Sequence, residues 1–352
     1  MHLLQRLPNN PLDIVGDIHG ELAAMLALLD RLGYDHKGRH PYGRKLVFVG
    51  DLCDRGPDSQ GVIQHVQLLF EEGNAFAILG NHEINLLTRD IKDGSGWFFD
   101  ERHDRDLKYY APFRRTPAEE RAALASFLAR LPIALYRDDI RIVHAAWTPS
   151  AIEAIRSIPA GGIVEHFQAW NHEAQSLAVA RGLYDRYLDE KTRWAQELED
   201  EQASLPFLHA IAEYEATQQM VNPLKVLTSG VEQKASLAFF SGNRWRFSDR
   251  TTWWNDYQDE VPVVVGHYWR LFDVPADMVI PRYSELFQGV PSTAWHGARR
   301  NVFCVDFSVG ARWRDRRAGR PISESRYRLA ALQWPENRLV FDSGEIIPTF
   351  RG

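Results

Sequence analysis

Asp17 and His19 stand two residues apart, just beyond an apolar run at 12–15. A carboxylate oxygen and an imidazole nitrogen at that spacing can hold one cation from a single turn, and Gly16 and Gly20 allow the backbone to turn there. The arrangement recurs along the chain. Asp51 follows the apolar run 46–49 within Gly50-Asp51-Leu52-Cys53-Asp54-Arg55-Gly56, and Asn81 follows 76–79 within Gly80-Asn81-His82-Glu83. His144 ends the run 140–143, and His267 ends the run 261–265. An aspartate has two carboxylate oxygens, so Asp51 can bridge two metals. Mixed nitrogen and oxygen donors suit first-row metals such as Mn, Fe, Zn, Ni or Co rather than calcium. Two such ions can bind a phosphoryl group, acidify a water between them and stabilise in-line attack.

That chemistry also needs a proton for the leaving oxygen and a grip on the phosphate. His82, beside Asn81, can supply the proton. Asp54 can orient and charge-stabilise His82, as carboxylates do for catalytic imidazoles. The planar fork of Arg55 can hold two phosphate oxygens. An isolated Asp-Arg-Gly reads as a local turn ion pair; inside this set, Asp54-Arg55 reads as phosphate machinery. The other histidines (2, 36, 40, 65, 103, 166, 172, 209 and 296) lack such a setting and receive no role.

The elements that must position these groups alternate. A strand at 12–15 precedes a helix marked by Leu22, Met25, Leu26, Leu29 and Leu32, with Gly33 as its stop. Strands at 46–49 and 76–79 flank a helix marked by Val62, Ile63, Val66, Leu69 and Phe70. A β-α-β-α-β order predicts a parallel or mixed sheet covered by helices, with functional groups beyond the carboxyl ends of its strands. Residues 90–116 read as an irregular insertion. The next helix is predicted to start with Thr116 as cap, Pro117 at its first position and Glu119 completing a capping box, and to run to about Leu131. Residues 150–219 read as helical, with the charged run 185–201 as a solvated face. Further strands are expected at 140–143, 236–240, 261–265 and 301–305, and a hairpin from 327–332 and 339–341 around Pro335-Glu336-Asn337. No internal repeat or low-complexity linker is present, so the expected organisation is one α/β domain over 1–352 with a helical insertion at about 150–225.

Gly-Asp-x-His-Gly, Gly-Asp-x-x-Asp-Arg-Gly, Gly-Asn-His-Glu, a later His and Gly-His together resemble the calcineurin-type metallophosphoesterases. The likeness is greatest to the phosphoprotein phosphatase branch and its bacterial relatives, which include the symmetrical diadenosine tetraphosphate hydrolases. It spans 12–147, returns at 261–268 and, more loosely, at 301–341. It implies a four-layer fold, with two mixed sheets packed together and helices outside. It implies that Asp17, His19, Asp51 and His267 bind one metal and that Asp51, Asn81 and His144 bind the other, with manganese the leading candidate. It implies His82 as general acid paired with Asp54, Arg55 as phosphate clamp, Asn81 also at the substrate, and water between the metals as nucleophile without a phosphoenzyme. The chain departs from the pattern in His144-Ala145-Ala146-Trp147, where two glycines usually follow the histidine, and in Gly266-His267-Tyr268-Trp269, where Thr or Gln is usual. A second phosphate-binding arginine is assigned to Arg250, whose alternative is stacking on Trp253 or Trp254. Trp147, Trp253, Trp254 and Trp269 are either core beneath the site or an aromatic wall for a phosphotyrosine ring or nucleobase. Asp306 is either a support for a ligand histidine or a turn aspartate.

The 352 residues carry a net charge of −6, which gives no sign of general nucleic-acid affinity and leaves an anionic substrate dependent on local arginines and metals. No apolar run of about 18 residues exists to span a membrane, and no secretory signal is visible at the start of the chain. With two cysteines, Cys53 and Cys304, reduced thiols in a cytoplasmic enzyme are expected. The resulting expectation is a two-metal phosphatase acting on phosphomonoesters, either phosphoproteins or small molecules, by attack of metal-bound hydroxide. Asp54 favours that substrate class, because the matching aspartate is typically lost in the tetraphosphate hydrolases. Hydrolysis of a dinucleoside polyphosphate or other nucleotide anhydride is the alternative. A non-catalytic phospho-ligand scaffold is a third, which the full ligand set with His82 and Arg55 argues against.

Overall fold

The computed structural model describes residues 2–241, 244–273 and 286–351. Two mixed sheets carry the fold. The first has strand order β1 (Leu4–Arg6), β5 (Ala134–Arg137), β6 (Ile140–Val143), β9 (Val263–Val265) and β10 (Val302–Cys304). The second runs β13 (Ile346–Pro348), β12 (Arg338–Phe341), β11 (Ala330–Trp334), β2 (Leu12–Val15), β3 (Lys45–Phe48) and β4 (Ala75–Ala77). A separate antiparallel ribbon joins β7 (Glu232–Phe240) to β8 (Trp245–Arg250).

Side-chain alternation along the strands stacks the sheets. On β3, Val47 and the following Val49 enter a core between the two sheets, while Leu46 and Phe48 face the helices. On β10, Phe303 points to the sheet–sheet core, and Val302 and Cys304 point away from it. The period of two therefore gives each sheet two apolar faces, one for its partner sheet and one for helices. This is the expected layered metallophosphoesterase architecture.

Helix α1 (Leu22–Leu32) buries Met25, Leu28, Leu29 and Leu32, and stops where Gly33 adopts a left-handed conformation. Leu26, expected on its apolar stripe, is 43% exposed, and Leu28 takes the inward position. Helix α2 (Ser59–Glu71) is capped by the Asp58 carboxylate, which accepts from Gly61 N, and buries Val62, Ile63, Val66 and Leu69. Helix α3 (Asn81–Thr88) begins at a predicted metal ligand.

Two expectations require correction. Residues 90–116 contain a helix, α4 (Asp100–Tyr110), in which only Asp106 is buried. It shows no apolar period because side-chain bonding holds it instead: Asp106 Oδ2 accepts from Gly94 N and Gly96 N at 3.0 and 2.7 Å. The following helix, α5 (Ala118–Leu128), takes Pro117 at its cap position, not Thr116. The Thr116 N–H donates to Trp97 O at 2.8 Å, which ties this residue to the preceding loop, and its hydroxyl makes no cap bond. The carboxyl-terminal hairpin forms as expected, with Gln333 opposite Arg338. Strands β1, β5, β8 and β13 were not anticipated; in β1, β5 and β13, three or four residues give too short a pattern to distinguish from loop.

After β6 come α6 (Pro149–Ile155), α7 (Ile163–Ala180), α8 (Leu183–Arg193), α9 (His209–Met220) and α10 (Pro223–Ser229). Part of this stretch forms its own small core with the ribbon, in which Leu198, Leu208, Ile211 and Phe247 meet. On the exposed run 185–201 only Leu198 is buried, in keeping with a solvated face. A short basic helix, α11 (Arg312–Arg317), precedes β11. Among the described residues no helix is long and apolar enough to cross a membrane, and both cysteines are free and buried.

Candidate metal centre

Strands β2, β3 and β4 are parallel neighbours, so Asp17, Asp51 and Asn81 emerge side by side. Strands β6 and β9 are parallel neighbours in the other sheet, so His144 and His267 do the same. The two sets of strand ends meet. His144 Nδ1 donates to Val49 O at 2.7 Å, and the His267 N–H donates to Asp17 Oδ2 at 2.9 Å. Glycines make close approach possible, within the second sheet at Gly80 and between the sheets at Gly266. A Cβ on Gly80 would stand 2.2 Å from Asp51 Oδ1, and one on Gly266 would stand 2.0 Å from Asp17 Oδ1.

His19, Asp51, Asp54, Arg55, His267 and Trp269 all adopt positive φ, between 48° and 74°. Such conformations are uncommon for non-glycine residues, cost free energy and collect at functional sites. A buried brace holds the Asp51 loop in place. The Glu83 carboxylate accepts from Asp51 N, Leu52 N and Gly80 N at 2.8–2.9 Å, tying the end of β3 to the start of α3. Glu83 belongs to the Gly-Asn-His-Glu signature, but spacing alone did not show that its partners would be backbone amides thirty residues away.

The donor atoms form two tight groups that share Asp51: His19, Asp51 and His82, and Asp51, His144 and His267. His19 Nδ1 donates to Cys53 O at 2.9 Å and His144 Nδ1 to Val49 O, so each ring turns Nε2 inward. His144 Nε2, His267 Nε2 and Asp17 Oδ1 are buried without a hydrogen-bond partner. Buried polar atoms of this kind are costly unless something binds them. The electrostatics agree. Burial, with the charges of Asp306 and Asp51, pushes the Asp17 carboxyl well above the usual carboxylate range. Burial would also raise Asp51, but the His144, His82 and His19 imidazoles outweigh it and hold Asp51 well below that range. Burial, reinforced by Arg55 and His82, keeps His19 neutral, and burial with Arg250 and His144 does so for His267. His144 differs: burial would lower it, but the neighbouring Asp51 carboxylate outweighs burial and raises it. Imidazoles and carboxylates clustered with unpartnered donor atoms are a donor set for cations, so the residues fit the metals that the motifs imply.

The grouping differs from the expected division in one respect. His267 Nδ1 lies 2.9 Å from Asn81 Oδ1, and its ring lies 5.2 Å from that of His144. His267 thus joins Asn81 and His144 rather than Asp17 and His19, because β9 runs beside β6. Asp17 meets His267 only through the backbone N–H.

His82 Nδ1 lies 2.5 Å from Asp54 Oδ2, and Nε2 points toward Asp51 Oδ2 at 3.9 Å. Asp54 is itself fixed: Trp97 Nε1 donates to Oδ1 at 2.6 Å, and the Asp54 N–H donates to Ser59 Oγ at 2.9 Å. Trp97 was not anticipated, because it lies within the segment read as irregular. The Arg55 guanidinium stacks 4.5 Å above Trp269 and donates to His19 Nε2 at 3.0 Å. Trp269 therefore lines the site. Trp253 and Trp254 are core: Trp253 Nε1 donates to the buried Tyr268 hydroxyl, and Trp254 stacks on Phe287. Trp147 is buried under the Arg141 guanidinium. Arg250 ends β8 close enough to bear on His267, and among the described residues it does not stack on Trp253 or Trp254. Asp306 is a turn aspartate: its oxygens accept from Trp269 N and Ser308 N at 2.6 and 2.8 Å, and burial pushes its carboxyl up to about 6. A cavity of about 520 Å³ lies apart from this centre, lined by Trp147, Trp253, Tyr257 and residues of α6 and α10, with no candidate metal ligand in its wall.

With site and fold in view, the chain belongs to the calcineurin-like phosphoesterase family, whose model matches residues 11–267. It is 47% identical over 73 residues to the asymmetrical bis(5'-nucleosyl)-tetraphosphatase PrpE of Halalkalibacterium halodurans, covering 20% of this chain and 30% of that protein. It is 30% identical over 188 residues to a symmetrical bis(5'-nucleosyl)-tetraphosphatase of Ralstonia nicotianae, covering 53% and 58%. The chain thus spans about a third to just over half the length of these curated relatives. A cold-active protein-tyrosine phosphatase from a psychrophilic Shewanella superposes with a TM-score of 0.43 at 16% identity, covering 98% of this chain and 82% of that one.

Proposed function

We propose that the protein hydrolyses a phosphoanhydride bond in a dinucleoside polyphosphate or related nucleotide. The observation that carries this substrate class is the likeness of its motif-bearing stretch to bis(5'-nucleosyl)-tetraphosphatases of both the symmetrical and the asymmetrical kind. Asp17, His19 and Asp51 would hold one metal and Asp51, Asn81, His144 and His267 the other, with manganese the leading choice for this donor set. When bound, the metals supply Lewis acidity toward the phosphoryl oxygens and a nucleophilic water at neutral pH. The chain's own residues do the rest. Asp54 holds His82 Nδ1, which leaves Nε2 to give its proton to the departing oxygen. Arg55, braced on Trp269, meets the non-bridging phosphate oxygens, with Asn81 and Arg250 beside it.

A second reading, hydrolysis of phosphomonoesters of proteins or small molecules, is favoured by one observation. Asp54 is present and bonded to His82 at 2.5 Å, a pairing that the family resemblance associates with phosphomonoester substrates. Steady-state comparison of a dinucleoside tetraphosphate, p-nitrophenyl phosphate and a phosphopeptide on the manganese-loaded protein separates the two. The first reading predicts the highest kcat/KM for the tetraphosphate; a higher value for either monoester would overturn it. The chain is read as one unit, 1–352, with the helical stretch at about 150–225 inserted in it. Pairing of β6, before that stretch, with β9, after it, supports this. A cytoplasmic location is supported by the two free, buried thiols.

A further inference from the structure

One wall of the site extends beyond the metal ligands and the proton donor. It begins at His19, whose ring packs against Gly310 in the turn that leads into α11. Beside it, burial raises the pKa of Tyr110 at the end of α4, and the nearby Arg55 guanidinium partly offsets that rise. The Tyr110 ring meets Trp313 of α11 edge-on, with 5.1 Å between centroids. The guanidiniums of Arg314 and Arg317 lie 5.3 and 5.9 Å from the Trp313 ring centre, and that of Arg317 also lies 5.5 Å from the Tyr109 ring. Leading away from the metal ligands, the wall thus presents two aromatic rings, Tyr110 and Trp313, between two guanidiniums, Arg55 and Arg317.

Four nearby carboxylates are engaged by arginines. Arg102 takes up Asp93 and Asp106, Arg316 takes up Glu21, and Arg320 with the Ser325 hydroxyl takes up Asp315. Arg55 and Arg317 thus give the wall positive charge in a chain of net charge −6. Guanidiniums recognise phosphate oxygens, and aromatic faces take nucleobases. A small phosphomonoester held by Arg55 has no atoms to extend along this wall; a phosphate chain ending in a nucleoside does.

We propose that the Tyr110–Trp313–Arg317 wall is the subsite for the part of an extended nucleotide substrate that lies beyond the reacting phosphoryl group. Arg317 meets the outer phosphates, and Trp313 with Tyr110 takes a base. This rests on the polyphosphate reading above and adds to it the surface that selects for chain length. The test compares Arg317→Gln, at an exposed position, and Trp313→Leu with the parent protein. Each is assayed with a dinucleoside tetraphosphate and with p-nitrophenyl phosphate in manganese buffer. The ratio of kcat/KM for the tetraphosphate to that for p-nitrophenyl phosphate should fall about tenfold in each variant, as expected for loss of one charge-assisted or stacking contact. The loss should lie in KM. If the parent cleaves the tetraphosphate and both variants keep its ratio, the subsite is wrong and the substrate reading stands. If the parent cleaves only p-nitrophenyl phosphate, the substrate reading fails and the subsite falls with it.

Discussion

His82 has one ring nitrogen committed to Asp54 at 2.5 Å and the other turned toward the donor cluster. In the proposed role a side chain in that position transfers protons and need not hold metal, so the two tasks should be separable by mutation. His82→Asn should lower kcat by about 10²–10⁴-fold, the usual range for loss of a general acid, while metal content persists. Asp51→Asn should instead reduce the occupancy of both metals, because Asp51 is common to both donor groups. Kinetics and elemental analysis on the same preparations check both; undiminished turnover in the first variant, or full metal content in the second, would contradict these roles. The residue types and their spacing already picked out these side chains in the sequence. What spacing could not reveal was which imidazoles would share a cation. His267 lies beside Asn81 and His144 because of the neighbouring strands β6 and β9, and strand order is not written in any local window.

Elements differ in how much of themselves they show to a sequence reader. Helices α1 and α2 bury an apolar stripe and were legible; α4 buries one aspartate and was not. The helical stretch shows a further cost of burial. Lys225 on α10 is partly buried, its ammonium donates to Gln218 O at 3.2 Å, and burial pulls its pKa from 10.5 down to about 8. A base with a depressed folded-state pKa destabilises the fold while it is charged. That penalty is fully present below about pH 8 and is relieved as pH rises toward 10.5, where the unfolded chain also loses its proton. Lys225→Met should therefore raise stability at pH 7 by on the order of 1 kcal/mol, after discounting the shift for partial exposure. The gain should shrink between pH 8 and 10.5. Urea denaturation at pH 7 and pH 10 measures it; an equal gain at both values would show that the charge is not the cause.

Across the whole molecule, a buried polar knot sits at the opposite end of the second sheet from the site. Arg44 Nε and Nη2 donate to the two Asp13 oxygens at 2.9 and 3.0 Å, and Nη1 donates to Glu336 at 2.6 Å. Tyr34 and Gln333 also donate to Asp13, which is fully buried. The knot links β2, β11, the hairpin turn and the segment after α1, so it fixes how the first strands and the carboxyl-terminal hairpin meet. Removing one member strands a buried charge. Arg44→Met should cost about 3–5 kcal/mol of stability, whereas replacing Arg44 and Asp13 together with apolar residues of similar volume should cost much less. Chemical denaturation of the single and double variants tests this, and equal losses in both would refute the ion-pair account.

The motifs at the strand ends, the β-α-β order and the alternation within strands were enough to establish the class of chemistry and the layered fold, because donor types and apolar periods are local properties of a chain. The partners of Glu83, the support of Asp54 by Trp97, the grouping of His267 and the wall formed by Tyr110 and Trp313 were settled by folding. Each joins residues tens to hundreds of positions apart, and their meeting depends on which strands lie side by side and where α4 and α11 pack against them.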